Sequence, residues 1–109
     1  MDESAAAVKE AKEDATKLAP QSHKVVLEND RVRVMEIRIK PGEKIPMHSH
    51  PANILYSLSA ATMKLTRPDG TSTIVEMKAG DCTWREAMSH EVENVGETEF
   101  RAVGIEIKK

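Results

Sequence analysis

Met63-Lys64-Leu65-Thr66-Arg67-Pro68-Asp69-Gly70-Thr71-Ser72-Thr73-Ile74-Val75-Glu76-Met77 is the stretch from which the fold is read. Two period-two runs flank Pro68-Asp69-Gly70, three residues suited to a tight turn. The stretch predicts an antiparallel hairpin. The same rhythm continues on both sides. Upstream, Val25-Val26-Leu27 leads to the turn signal Asn29-Asp30, after which Val32, Val34, Ile37 and Ile39 alternate with Arg33, Glu36 and Arg38. Parity slips between Val34 and Met35, which predicts a bulge there, since a slip of one residue would turn the strand inside out. Pro41-Gly42 is the next turn, followed by a histidine segment and by Ile54-Leu55-Tyr56-Ser57-Leu58. Downstream, Ala79-Gly80-Asp81 turns the chain, Cys82-Thr83-Trp84 runs toward His90-Glu91-Val92-Glu93-Asn94, and the last strand carries Phe100, Ala102 or Val103, Ile105 and Ile107. Eight or nine short strands with regular turns imply an all-β fold, an antiparallel sandwich or barrel.

Before the strands the pattern differs. Asp2 to Ala19 is built from Ala, Lys, Glu and Asp, with Val8, Ala11, Ala15 and Leu18 at spacings of three or four. That spacing predicts a thin amphipathic helix, ended by Pro20. Residues 1–20 thus form an N-terminal arm, helical or disordered, and residues 21–109 one domain, since 109 residues suit a single core. Lys+Arg 16 against Asp+Glu 18 gives no basic excess for a phosphate backbone, so nucleic acid is not expected as a partner. No apolar run approaches the roughly 20 residues that cross a bilayer, and no membrane partner is expected. The acidic start Met1-Asp2-Glu3-Ser4 lacks the basic opening of a secretory signal. A cytoplasmic chain is expected, although an exported mature chain that has lost its leader reads the same. Cys82 is the single cysteine, so the domain holds by packing, without an internal disulfide.

The chemistry concentrates in Pro41-Gly42-Glu43-Lys44-Ile45-Pro46-Met47-His48-Ser49-His50-Pro51. Residues two apart in a strand share a face roughly 7 Å apart along the chain, so His48 and His50 can close on one cation. A stable site needs a third or fourth ligand. His90 is the candidate, on a late strand that a closed β structure brings back against the early ones. Tyr56 follows on the next strand, where its hydroxyl either enters the pocket or serves the surface. Trp84 and Phe100 read as core or pocket wall. Met47, Met63, Met77 and Met88 read as gap-fillers, and Cys82 as a small buried hydrophobe. His23, without a neighbouring ligand, reads as solvated.

Gly42-x5-His48-x-His50 resembles the first half of the first cupin motif, and Gly80-Asp81 through His90-x3-Asn94 resembles the second, across about Val25 to Ile107. The resemblance, to small single-barrel cupins, implies a small antiparallel β-barrel or jelly roll behind the helical arm. It also implies a metal site formed by His48, His50 and His90. Two departures stand out. Cupins carry a carboxylate four or five positions after His-x-His, where this chain has Ile54 and Leu55, and Pro-x-Gly before the last histidine, where it has Glu86-Ala87-Met88-Ser89. Glu86 is a candidate replacement ligand or general base, the alternative being a solvated loop carboxylate. With Tyr56 it completes the expected catalytic set. Three neutral imidazoles suit a divalent transition metal, iron, manganese, nickel or zinc, and leave positions for a small-molecule ligand.

The resemblance implies a metal-dependent enzyme, dioxygenase-like or a lyase or isomerase, acting on a small organic acid or carbonyl compound. A non-catalytic module that binds or senses a small molecule or metal is the alternative, and a metal-free structural domain a third. A homodimer is expected, with Leu27, Val32, Val34, Ile105 and Ile107 as contributors.

Overall fold

In the computed structural model, which describes residues 14–108, nine strands form two antiparallel sheets. The strands are β1 (His23–Glu28), β2 (Val32–Ile39), β3 (Lys44–His50), β4 (Asn53–Ser57), β5 (Ala61–Thr66), β6 (Ser72–Met77), β7 (Cys82–Arg85), β8 (Met88–Asn94) and β9 (Phe100–Ile107). One sheet has the order β1-β2-β9-β4-β7 and the other β3-β8-β5-β6. The sheets face each other in a jelly-roll-like sandwich that does not close into a barrel.

The hairpin predicted first is β5 and β6, paired from Ala61 opposite Met77 to Thr66 opposite Ser72. Its turn works as its residues dictate. Asp69 Oδ1 accepts the Thr71 N–H at 2.9 Å, and Gly70 takes φ 90°, a left-handed value that costs a side-chain-bearing residue but not glycine. Asn29 plays the Asp69 part between β1 and β2, its Oδ1 accepting the N–H groups of Arg31 and Val32.

The core lies between the sheets. β2 contributes Met35, Ile37 and Ile39, β3 contributes Ile45, β5 contributes Met63, and β9 contributes Phe100 and Ala102, all buried. Each large apolar side chain buried this way stabilises the fold by about 1.5–3 kcal/mol. Gly104 stands between these layers on β9, where a Cβ would lie 3.2 Å from Ile37 Cδ1; its missing side chain is the room that Ile37 and Met35 fill.

Expectations are corrected at two places, the bulge and β7. The bulge lies in β1, between Val25 and Leu27, while β2 pairs with β9 without interruption from Val32 to Ile39. Val32 and Val34 therefore belong to the outer face, and Arg33 faces inward with Met35. Of the arm, the described part is Asp14 onward: a four-residue helix α1 (Ala15–Leu18), capped by Asp14, with Ala15 and Ala19 buried against the sandwich. Val8 and Ala11 lie outside the described residues. Cys82 and Trp84 are exposed, because β7 is an edge strand and both lie on the outer face of its sheet. No helix among the described residues is long and apolar enough to cross a membrane.

Candidate metal centre

β3 and β8 are neighbours, and their register sets His48 opposite His90. His50, two residues on, returns to the same face. All three rings are buried, 1%, 4% and 4% exposed for His48, His50 and His90. Their centroids lie 4.7–5.0 Å apart, and His50 Nε2 stands 3.0 Å from His48 Nε2 and 3.1 Å from His90 Nε2.

The contact between His48 and His50 is not an ordinary hydrogen bond. His48 Nδ1 lies 2.7 Å from the Pro46 carbonyl oxygen, and His50 Nδ1 lies 3.3 Å from Glu106 Oε2. Both partners only accept, so in each ring Nδ1 carries the hydrogen and neutral Nε2 presents a lone pair. Lone pairs 3.0 Å apart repel unless something positive lies between them. A proton is disfavoured there. Burial pushes His48 down to about 4, although its bond to Pro46 works the other way, and burial together with the neighbouring imidazoles pushes His90 down to about 2. Nitrogens bound to one transition-metal ion at about 2.0–2.1 Å sit about 3 Å from one another. The donor atoms of the three residues all lie within 4.8 Å. The set fits such an ion.

A line of charged groups stands behind His50. Glu106, 4% exposed, uses Oε2 for His50 and Oε1 for Arg33, whose Nε and Nη2 approach at 2.9 and 2.7 Å. Arg33 Nη1 continues to Asp14 Oδ2 at 2.7 Å. Burial alone would raise the Asp14 carboxyl, but hydrogen bonds from Arg33 and Thr16 outweigh it and hold the group at about 2. Strand register explains the alignment: Arg33, Glu106, Asn53 and Arg85 occupy one cross-strand row of the five-stranded sheet.

The three histidines share a cavity of about 50 Å³ with His23, Arg85 and an apolar wall that includes Leu55, Met63 and Phe100. Structure and sequence agree on His48, His50 and His90, which the fold brings together, and on Phe100. Glu86 and Tyr56 stand apart from the cavity. Glu86 is exposed, its Oε2 accepting the Trp84 Nε1–H at 2.7 Å. Tyr56 is 42% exposed, since Leu55 and Ser57 take the inward positions of β4. His23 is corrected in the other direction: it is 5% exposed, its ring centroid lies 6.1 Å from that of His48, and its Nδ1 has no hydrogen-bond partner. Burial, then the charges of His48 and His50, push it down to about 3. Sequence reasoning missed His23, Asn53, Arg85 and Glu106. For Glu106 a signal exists, because the inward parity of Phe100, Ala102 and Gly104 carries it inside.

No protein-family model matches the chain, and no curated protein does. Solved structures do. A cupin domain from Bordetella pertussis Tohama I is 32% identical with a TM-score of 0.74, over 80% of this chain and 92% of that one. An RmlC-like cupin family protein with a double-stranded β-helix fold from Methanocaldococcus jannaschii is 16% identical with a TM-score of 0.64, over 79% and 78%. A predicted oxalate decarboxylase from Thermotoga maritima is 23% identical with a TM-score of 0.57, over 80% and 79%, a likeness of fold.

Proposed function

The chain belongs to the cupin superfamily, and from that premise we propose a metal-dependent cupin in which His48, His50 and His90 hold one divalent transition-metal ion and the substrate is a small organic acid or carbonyl compound. The observation that carries this reading is the convergence of three buried Nε2 atoms at 3.0 and 3.1 Å, with His48 and His50 both held in the tautomer that leaves Nε2 bare. Iron, manganese, nickel and zinc all accept such ligands. When bound, the ion supplies Lewis-acid chemistry or, as iron, the activation of dioxygen. The protein's own residues do the rest. Pro46 and Glu106 fix the rings of His48 and His50 in the tautomer that ligates. The apolar wall gives the cavity a lining of low polarity, and neutral ligands would leave the site positively charged, which favours an anionic group.

A dioxygenase is the sharpest version, with lyase or isomerase chemistry beside it. A second reading, a non-catalytic module that binds or senses a small molecule or metal, is favoured by one observation: among the described residues no carboxylate and no hydroxyl lines the cavity, so imidazoles and the Arg85 guanidinium are its only titratable groups.

Metal analysis of the chain purified without added metal tests the first premise. About one ion per chain, lost in His48→Ala, is the expected result. No ion, together with a melting temperature indifferent to chelation, overturns it. Oxygen uptake or product formation by the loaded protein then favours the enzyme, and binding without turnover the module.

We also propose that the chain pairs with a second copy. Leu27, Val34, Ile105, Ile54 and Trp84 form one cross-strand row over all five strands of the larger sheet, on its outer face. Leu27 and Trp84 are more than half exposed. An apolar row of this length on an uncovered sheet is the kind of surface a symmetric dimer buries.

A further inference from the structure

The cavity holds a cation that the three histidines do not explain. Arg85 ends β7 and lines the cavity, and its guanidinium makes one hydrogen bond among the described residues, from Nε to Asn53 Oδ1 at 3.0 Å. Asn53 is itself fixed, 1% exposed with Nδ2 on the Pro51 carbonyl at 2.9 Å. The fork is therefore aimed by a buried amide while its two terminal nitrogens have no protein partner among the described residues. Glu106, the carboxylate in the same row, already serves Arg33 and His50. Burial lowers the Arg85 guanidinium to about 10, against the pull of Glu106, so it stays charged at neutral pH.

His23 supplies a second group. It lines the same cavity, is 5% exposed, and has a buried Nδ1 without a partner. Its ring stands 6.1 Å from His48, farther than the 4.7–5.0 Å among the three clustered rings, which sets it beside the cluster and not within it. An arginine whose terminal nitrogens have no protein hydrogen-bond partner among the described residues and an imidazole whose buried Nδ1 has none, both lining one small cavity, have a common complement in a carboxylate, which can accept from each.

We propose that Arg85 and His23 form an anchoring subsite for the carboxylate of a small organic acid, in the same cavity as the three histidines. The cavity of about 50 Å³ limits that acid to a few heavy atoms. The inference rests on reading this cavity as the functional site, and it narrows the substrate class from acid or carbonyl compound to carboxylate.

The test is acetate binding, followed by ligand-observed NMR on the zinc-treated full chain and on the metal-free chain, with acetamide as the uncharged isostere. Acetate is expected to bind and acetamide not to. Arg85→Gln is expected to weaken acetate by about tenfold or more, Arg85→Lys to restore part of it, and His23→Phe to weaken it by about threefold. Should Arg85→Gln fail to fold, protection of Arg85 from phenylglyoxal by acetate, read by peptide mass spectrometry in the unaltered protein, gives the same information. Equal binding of acetamide, or acetate binding and phenylglyoxal reactivity that ignore Arg85, overturns the anchor. Zinc content is measured in the same samples. Zinc uptake without acetate binding overturns the anchor and leaves the metal reading standing; Arg85-dependent acetate binding in a chain that takes up no zinc does the reverse.

Discussion

Each oxygen of Glu106 has its own task, one orienting His50 and the other receiving Arg33. Glu106→Gln keeps the shape and removes the charge. Metal affinity should fall about 10–100-fold, as for other groups that orient a ligating histidine, measured by competition with a chelator; unchanged affinity would mean that packing alone holds the ring. Acid acts on the neighbours. Burial holds His23, His48 and His90 at about 3, 4 and 2, below the usual 6.5, so the folded chain refuses protons that the unfolded chain accepts. In the metal-free protein the resulting stability is fully present above about pH 6.5 and is lost as pH falls toward the folded value of each ring, about 4, 3 and 2 for His48, His23 and His90, by about 1.4 kcal/mol per group and pH unit. Urea unfolding at pH 7 and pH 5 should differ by several kcal/mol, and equal midpoints would contradict the burial of neutral rings. The three ligands were legible in sequence because their spacing within a strand is local geometry. His23 and Arg85 were not, because what they face depends on how two sheets stack, which no local period encodes.

At the scale of elements, the end of β8 is held by Asn94, which is fully buried. Its Nδ2 donates to the carbonyls of Ile39 and Thr98 at 2.9 and 2.8 Å, and its Oδ1 accepts the Gly96 N–H at 3.0 Å. Asn94→Ala strands all three backbone groups and should cost about 2–4 kcal/mol in urea unfolding. A loss under about 1 kcal/mol would mean that water replaces the amide without penalty. Hairpins were legible where a turn residue stood between alternating runs at Asn29-Asp30 and Asp69-Gly70. The bulge was misplaced because Val32 and Val34, apolar yet outward, mimic core positions. Cys82 and Trp84 misled in the same way on β7, where apolar character marks an outer surface.

For the whole molecule, the outer apolar row makes a prediction about assembly. Ile105→Lys puts a charge at its middle, and sedimentation is expected to show a dimer for the unaltered chain and a monomer for the variant, with metal content unchanged. An unaltered chain that sediments as a monomer at high concentration would remove the need for a partner. One further consequence follows from the charges that run from Asp14 through Arg33 and Glu106 to His50. They give the front of the polypeptide a grip on its interior. Trimming past residue 14, or fusing a bulky tag that drags on α1, frees Arg33 from its outer anion and slackens the imidazole at the far end, so handling one terminus adjusts a ring deep inside the sandwich.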